Sequence, residues 1–341
     1  MTAVRVYISG MGIISSLGKG ISKTGAAIQK SLTGIRPLTL FSIASNQPLP
    51  VGEAADLIEN DDLPRTHQLA RLAAKQAMAD SQEAPDAVVM GVTTGGMLTT
   101  ENLLKKKTGD PKLYQFHATG SVAEDIARRY RCTGPALTVS TACSSGAAAL
   151  KIALEMLRSG SVKRVLTGGA DSLCRLTYYG FNALQLIDPE GARPLDSNRR
   201  GMSVGEGAAM LLLVADEPDH AVAEVLGAGL SCDAYHPATP HPRGQGALAA
   251  MQAAIEDAGI SVGDIDYINL HGTGTRDNDI SEAAAINTLF SPPKPLMSSV
   301  KGAFGHSLAA AGAIEAVVCA ISISNSLVPA TVGCRHPDPD L

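Results

Sequence analysis

Short, nearly continuous apolar runs alternate along this chain with longer stretches in which apolar residues return at helical spacing. Residues 4–9, 87–92, 136–140 and 164–167 are runs of the first kind and predict buried strands. Residues 67–80, 147–158, 247–257 and 309–322 are of the second kind and predict helices. Residues 209–215 and 221–229 read as two strands joined by a polar turn at 216–220, which predicts a hairpin. The pattern then restarts. Residues 265–270 predict a strand ending in a Gly-rich loop, and residues 298–301 end another. This alternation predicts an α/β fold with mainly parallel sheets. Val6 to Gly12 and Tyr267 to Gly274 both run from a strand into Gly-x-Gly, which suggests an internal duplication with halves at 1–229 and 230–341. No low-complexity linker separates the halves, so they are expected to share one interface.

Composition narrows the class. Hydrophobic residues make up 45% and charged residues 18% of 341 residues, an ordinary globular balance with ample length for a large core. The net charge is −5 and no long basic block occurs, which argues against nucleic acid as a partner and leaves only a local basic patch for an acidic protein. Cysteines stand at 132, 143, 174, 232, 319 and 334 without a CxxC pair. That spacing argues against a disulfide scaffold or a structural zinc site and fits a reducing, cytoplasmic compartment. The apolar N-terminal stretch is short and broken by Gly10, Gly12 and Gly18. It reads as a first strand and turn, not a signal peptide, and no uninterrupted apolar run reaches membrane-spanning length.

Three polar clusters follow strand-like segments, where sites gather in open α/β sheets. The first is the turn around Cys143, in Val139-Ser140-Thr141-Ala142-Cys143-Ser144-Ser145-Gly146. A cysteine between a strand and a helix lies near unpaired N–H groups and the positive end of the helix dipole, which favour the thiolate. The second is His271-Gly272-Thr273-Gly274-Thr275, followed by Asp279 and Glu282. The third is Lys301 to Ser307 with His306, followed by the Ala-rich helix that carries Glu315. A nucleophilic cysteine with histidines fits acyl chemistry through a thioester, the histidines donating to a developing oxyanion or relaying a proton. Lys301 and Glu282 are expected to pair and fix the charge state of the histidines. Taken singly, each group has a plainer reading: a core cysteine, solvated loop histidines, a surface lysine, a structural ion pair for Glu315. Gly272 and Gly274 do not make a nucleotide site, because no GxGxxG fingerprint or P-loop accompanies them.

Taken together the clusters resemble the β-ketoacyl-(acyl carrier protein) synthases of fatty acid and polyketide synthesis, of the elongating type. The matching segments are VSTACSSG at 139–146, ARPLDSNRRGMSVGEGAAMLLL at 192–213, DAYHPATP at 233–240, HGTGTRDNDISE at 271–282 and SSVKGAFGHSLAAAGAIEAV at 298–317. The Cys-His-His set separates this type from chain-initiating synthases (Cys-His-Asn) and from thiolases (a second Cys). The resemblance implies the thiolase-like fold, five layers αβαβα in two similar halves, and a decarboxylative Claisen condensation. In that reaction Cys143 takes an acyl chain from phosphopantetheine, and His271 and His306 stabilise the enolate left when a malonyl thioester loses CO₂. Lys301 and Glu282 match the supporting pair, Asp279 the residue that orders the loop, and Thr273 and Thr275 the threonines that hold pantetheine. The Cys143 N–H matches one oxyanion donor. No metal or redox cofactor is implied; the substrate brings its own phosphopantetheine.

The implied partners are acyl carrier protein and a second subunit, a homodimer or a heterodimer with another ketosynthase. Arg65, Arg199 and Arg200 fall in segments resembling the carrier docking surface. The sequence departs from the family after His336, where a Gly/Phe-rich hairpin segment is expected; a longer natural chain is the favoured reading. Two other functions remain open: a non-catalytic, chain-length-factor-like partner, and a thiolase-like acyl-CoA enzyme.

Overall fold

In chain order the strands are β1 (Tyr7–Ser15), β2 (Gly18–Lys19), β3 (Ile35–Pro37), β4 (Pro50–Gly52), β5 (Ala87–Gly91), β6 (Ala136–Val139), β7 (Arg164–Asp171), β8 (Gly207–Val214), β9 (Ala223–Glu224), β10 (Tyr267–Asn269) and β11 (Leu296–Ser298). The helices are α1 (Ile21–Gln29), α2 (Arg65–Ala77), α3 (Met97–Lys105), α4 (Gly120–Arg129), α5 (Ser145–Arg158), α6 (Arg175–Ala183), α7 (Gln245–Ala258), α8 (Arg276–Leu289), α9 (Lys301–Phe304) and α10 (Ala311–Asn325). The computed structural model describes residues 4–43, 47–55, 57, 63–107, 110–236 and 238–341. Residues 1–3 of the expected first strand region and residue 237 of the DAYHPATP segment lie outside the described residues.

The large sheet runs β2-β1-β8-β7-β5-β6, with β9 also on β1. Side chains of a strand alternate between faces, and both faces here are apolar. In β8, Ala208, Met210 and Leu212 pack with α2 and α4, while Ala209, Leu211 and Leu213 pack with α5 and α10. Helices on both faces explain why these strands read as continuous apolar runs. Beyond α5 and α10 lies a second, parallel sheet of β10 and β11. Leu270, Ile286 and Phe290 form its outer core, joined by Met251 of α7 and Ile268 of β10. The order is therefore helix, sheet, helix, sheet, helix, the five layers expected.

Several expectations need correction. The large sheet is mixed: β6-β5-β7 is parallel, but β7-β8, β8-β1 and β1-β9 are antiparallel. The predicted hairpin does not form. β8 and β9 each pair with Tyr7 and Ile8 of β1, so β1 lies between them. The two Gly-x-Gly echoes also differ. Gly10 and Gly12 lie inside β1, where a Cβ would come within 2.1 Å of the Ala77 and Ala73 carbonyl oxygens of α2. Those glycines serve close helix-on-strand packing, whereas Gly272 and Gly274 shape a loop. The 18-residue stretch Leu308–Asn325 has a mean hydropathy of 1.7, and 61% of it is buried as a core helix beside the sheet.

Candidate active site

The cysteine turn is a strained elbow clasped by serines. Ala142 is left-handed, with φ 53°, which costs an L-residue energy unless its surroundings hold it. Ser145 does so: its Oγ accepts from the Thr141 N–H at 2.9 Å and donates to the Ala142 carbonyl at 2.6 Å. Ser144 Oγ donates to the Thr141 carbonyl at 2.7 Å. Cys143 is thereby held just ahead of α5, partly open to solvent.

The His271 loop follows β10 and is tied down by two carboxylates. Glu282 of α8 accepts from the backbone N–H groups of His271 at 2.7 Å and Gly272 at 2.8 Å. Asp279, buried, accepts from the backbone N–H groups of Gly274 at 3.2 Å and Leu195 at 3.0 Å. Gly274 has φ 83°, and a Cβ there would come within 2.7 Å of the Gly201 carbonyl oxygen, so only glycine fits. Thr273 and Thr275 join hydroxyl to hydroxyl at 2.8 Å. His306 sits past α9, with its N–H donating to the Ser203 carbonyl and its carbonyl accepting from Gly205 N–H, both at 2.8 Å.

These elements bring Cys143, His271 and His306 together, with one side-chain N or S atom of each within 4.8 Å of the others. Nε2 of His306 lies 3.0 Å from Cys143 Sγ. The two imidazoles meet edge to face, centroids 5.2 Å apart. Lys301, 2% exposed, places its Nζ 3.3 Å from His271 Nδ1 and forms an ion pair with Glu315. An ammonium only donates, so His271 Nδ1 accepts, and the neutral ring carries its proton on Nε2. Burial first, then the Lys301 charge, hold both histidines well below the usual range. Burial also pushes the Cys143 thiol up, and Lys301 only partly offsets this. Desolvation therefore opposes the thiolate that the helix terminus is expected to favour.

The expected Lys301–Glu282 pair is replaced by Lys301–Glu315, and Glu282 braces the His271 backbone instead. Arg65 and Arg199 are unavailable for docking. Arg65 forms a bidentate pair with fully buried Glu206 and donates to the Ala54 carbonyl. Arg199 is buried between Asp279 and Asp338. Arg200 keeps half its side chain exposed, beside Asp188 and Glu190. Sequence reading missed Asp171, the fully buried last residue of β7. It accepts from the N–H and hydroxyl of both Thr93 and Thr94 and from the N–H of Ala309, beside the His306 turn. An acid closing a strand ahead of a turn was the available signal.

Residues 3–218 match the family "Beta-ketoacyl synthase, N-terminal domain", and residues 222–335 match "Beta-ketoacyl synthase, C-terminal domain". The chain belongs to the β-ketoacyl synthase family. A 3-oxoacyl-[acyl-carrier-protein] synthase 2 of Rhizobium meliloti (strain 1021) is 33% identical, the match covering 98% of this chain and 89% of that protein. The structure titled "The ishigamide ketosynthase/chain length factor" superposes with a TM-score of 0.94 at 34% identity, covering 99% of this chain and 91% of that one. A type II polyketide acyl-carrier protein in complex with its ketosynthase, AntDE:AntF, gives a TM-score of 0.90 at 26% identity, covering 99% and 91%. The fold is therefore that of the thiolase-like ketosynthases.

Proposed function

We propose that this β-ketoacyl synthase condenses a Cys143-bound acyl chain with malonyl-acyl carrier protein to give 3-oxoacyl-acyl carrier protein. The observation that carries this reading is the 3.0 Å approach of His306 Nε2 to the Cys143 sulfur beside a Lys301-held His271. In the first step the thiol proton passes to His306 Nε2 as sulfur attacks the acyl thioester. The pantetheine thiolate leaves and takes that proton. In the second step the malonyl carbon–carboxylate bond breaks, CO₂ departs, and the electron pair forms an enolate. His271 Nε2–H donates to the enolate oxygen. Nδ1 of buried His306 has no hydrogen-bond partner among the described residues. The α-carbon attacks the Cys143 thioester, and collapse of the tetrahedral intermediate returns the thiolate, which takes one proton from solvent. No metal or redox group enters these steps.

Thr273 and Thr275 are the proposed pantetheine contacts and Arg200 the remaining docking candidate. The partner is an acyl carrier protein, as in the AntDE:AntF complex. A second ketosynthase-fold chain is the other partner. Edge strand β6 leaves Leu137 41% exposed, and α6 exposes Leu176 and Tyr179, with Leu184 exposed just past its end, an unpaired edge and apolar area that a subunit would cover. The six free thiols support a reducing, cytoplasmic setting.

The test is intact-protein mass after mixing with acyl carrier protein bearing chains of several lengths, with Cys143→Ala as control. Gain of one acyl group, lost in the variant, followed by product on adding malonyl carrier protein, supports the reading. Absence of acylation in a folded dimer would favour the chain-length-factor-like alternative.

A further inference from the structure

The same three side chains have a property that condensation does not use. A tetrahedral zinc ion with one sulfur and two imidazole ligands sets its donor atoms about 3.3–3.6 Å apart, from bond lengths of about 2.3 Å to sulfur and 2.0–2.1 Å to nitrogen. The donor atoms of Cys143, His271 and His306 all lie within 4.8 Å of one another, and the closest pair is 3.0 Å apart. A rearrangement of roughly an ångström would meet the zinc geometry. We propose that Cys143, His271 and His306 form a reversible inhibitory site for a soft divalent cation, zinc above all, with the fourth position left to water.

Three features of the structure favour it. A thiolate and two imidazoles are the donor set that selects zinc over magnesium or calcium. Glu315 pairs with Lys301, the nearest cation, and offsets part of the positive charge that otherwise lowers both histidines. Cys143 and His271 are partly open, which gives the ion an entry path, while His306 lies deep and closes the far side. The balance is simple: the cation enters, the thiol proton leaves to solvent, and no bond in substrate changes. Ligation through Nε2 requires His271 to move its ring proton to Nδ1, which turns that N–H toward the Lys301 ammonium in place of the hydrogen bond. That cost keeps binding reversible, and occupation of the Cys143 sulfur makes it inhibitory. An acyl chain on Cys143 removes the thiolate, so acyl-enzyme and metal exclude one another.

The test uses the whole protein with cobalt(II) and zinc alone as probes and does not depend on condensation. Cobalt is expected to bind at one per chain with a thiolate-to-metal charge-transfer band. The band should vanish in Cys143→Ser and His306→Ala and survive in Cys232→Ser, which removes an exposed thiol elsewhere. Zinc should slow iodoacetamide alkylation of Cys143 roughly tenfold or more by masking the thiolate, with recovery on adding EDTA. Prior acylation should abolish cobalt binding. If His306→Ala does not fold, the Cys143→Ser spectrum and the alkylation rates decide. A band that persists in Cys143→Ser, or alkylation indifferent to zinc, would overturn the site.

Discussion

Nε2 of His306 stands 3.0 Å from the sulfur of Cys143, a residue far away in sequence. Burial pushes that thiol above its ordinary range, so the contact is the means of removing its proton. His306→Ala is therefore expected to slow acyl transfer by about 10²–10⁴-fold near neutral pH. The deficit should shrink as pH rises and hydroxide replaces the lost base. Single-turnover acylation against pH checks this; a constant deficit across pH would refute the base role.

Lys301 bridges the negative and the neutral parts of the site. Lys301→Met removes the donor that fixes the His271 tautomer and leaves Glu315 without its partner. Malonyl decarboxylation should fall much further than acyl transfer, and stability should drop by about 3 kcal/mol as a buried pair is broken. Equal losses in both half-reactions would show that Lys301 acts only on the fold. Glu315→Gln, which keeps an acceptor near Lys301, should be milder on both counts.

How much of this was legible in the sequence depends on range. The strands and helices of the large sheet read clearly because apolar periodicity is local. The three clusters converged as expected because β-strand ends gather at one edge. Partner choice was not legible. Lys301 has acids at both 282 and 315, and only their placement in the folded chain decides for Glu315. The hairpin failed for the same reason: β8 and β9 both pair with β1, a strand remote in sequence. Arg199 looks like any surface arginine until Asp279 and Asp338 close around it.

Glu282 supplies a pH dependence with a definite sign. Burial raises its carboxyl to about 7, against an ordinary value of 4.5. The folded state therefore holds a proton that the unfolded chain releases first. Its contribution is fully present below pH 4.5, declines as pH rises, and is gone above about 7. A tenfold change in proton affinity is worth about 1.4 kcal/mol, so the contribution is on the order of 3 kcal/mol. Urea unfolding from pH 4.5 to 8 should show this slope, and Glu282→Gln should flatten it. An unchanged slope would assign the titration to another group.

Asp171 ties the loops after β5 and β7 to the turn that follows His306. Asp171→Asn presents an amide N–H₂ to N–H donors and leaves some of them unpaired, at about 1–3 kcal/mol each. Stability should fall. The charge of Asp171 also helps to hold the Cys143 thiol up, so its removal should shift Cys143 alkylation to lower pH. A purely structural role would lower the melting temperature without moving the alkylation profile.

Arg199 and Arg200 are neighbours in sequence with opposite fates, and the pair tests carrier docking. Arg199 is buried against Asp279, which braces Gly274 beside His271. Arg199→Ala leaves that carboxylate uncompensated, so a loss of about 3–5 kcal/mol in stability is expected. Carrier-bound and small thioester substrates should suffer alike, because the damage is to the loop. Arg200 keeps half its side chain in solvent. Arg200→Ala should leave stability nearly unchanged and raise KM for the carrier-bound substrate by roughly threefold to tenfold, through lost attraction to an acidic carrier. The effect should fade at high salt, and a small thioester analogue should not respond. Steady-state kinetics with both substrates at two ionic strengths decide it. Equal responses of the two substrates to Arg200→Ala would remove this arginine from the docking surface and leave none of the three expected residues there.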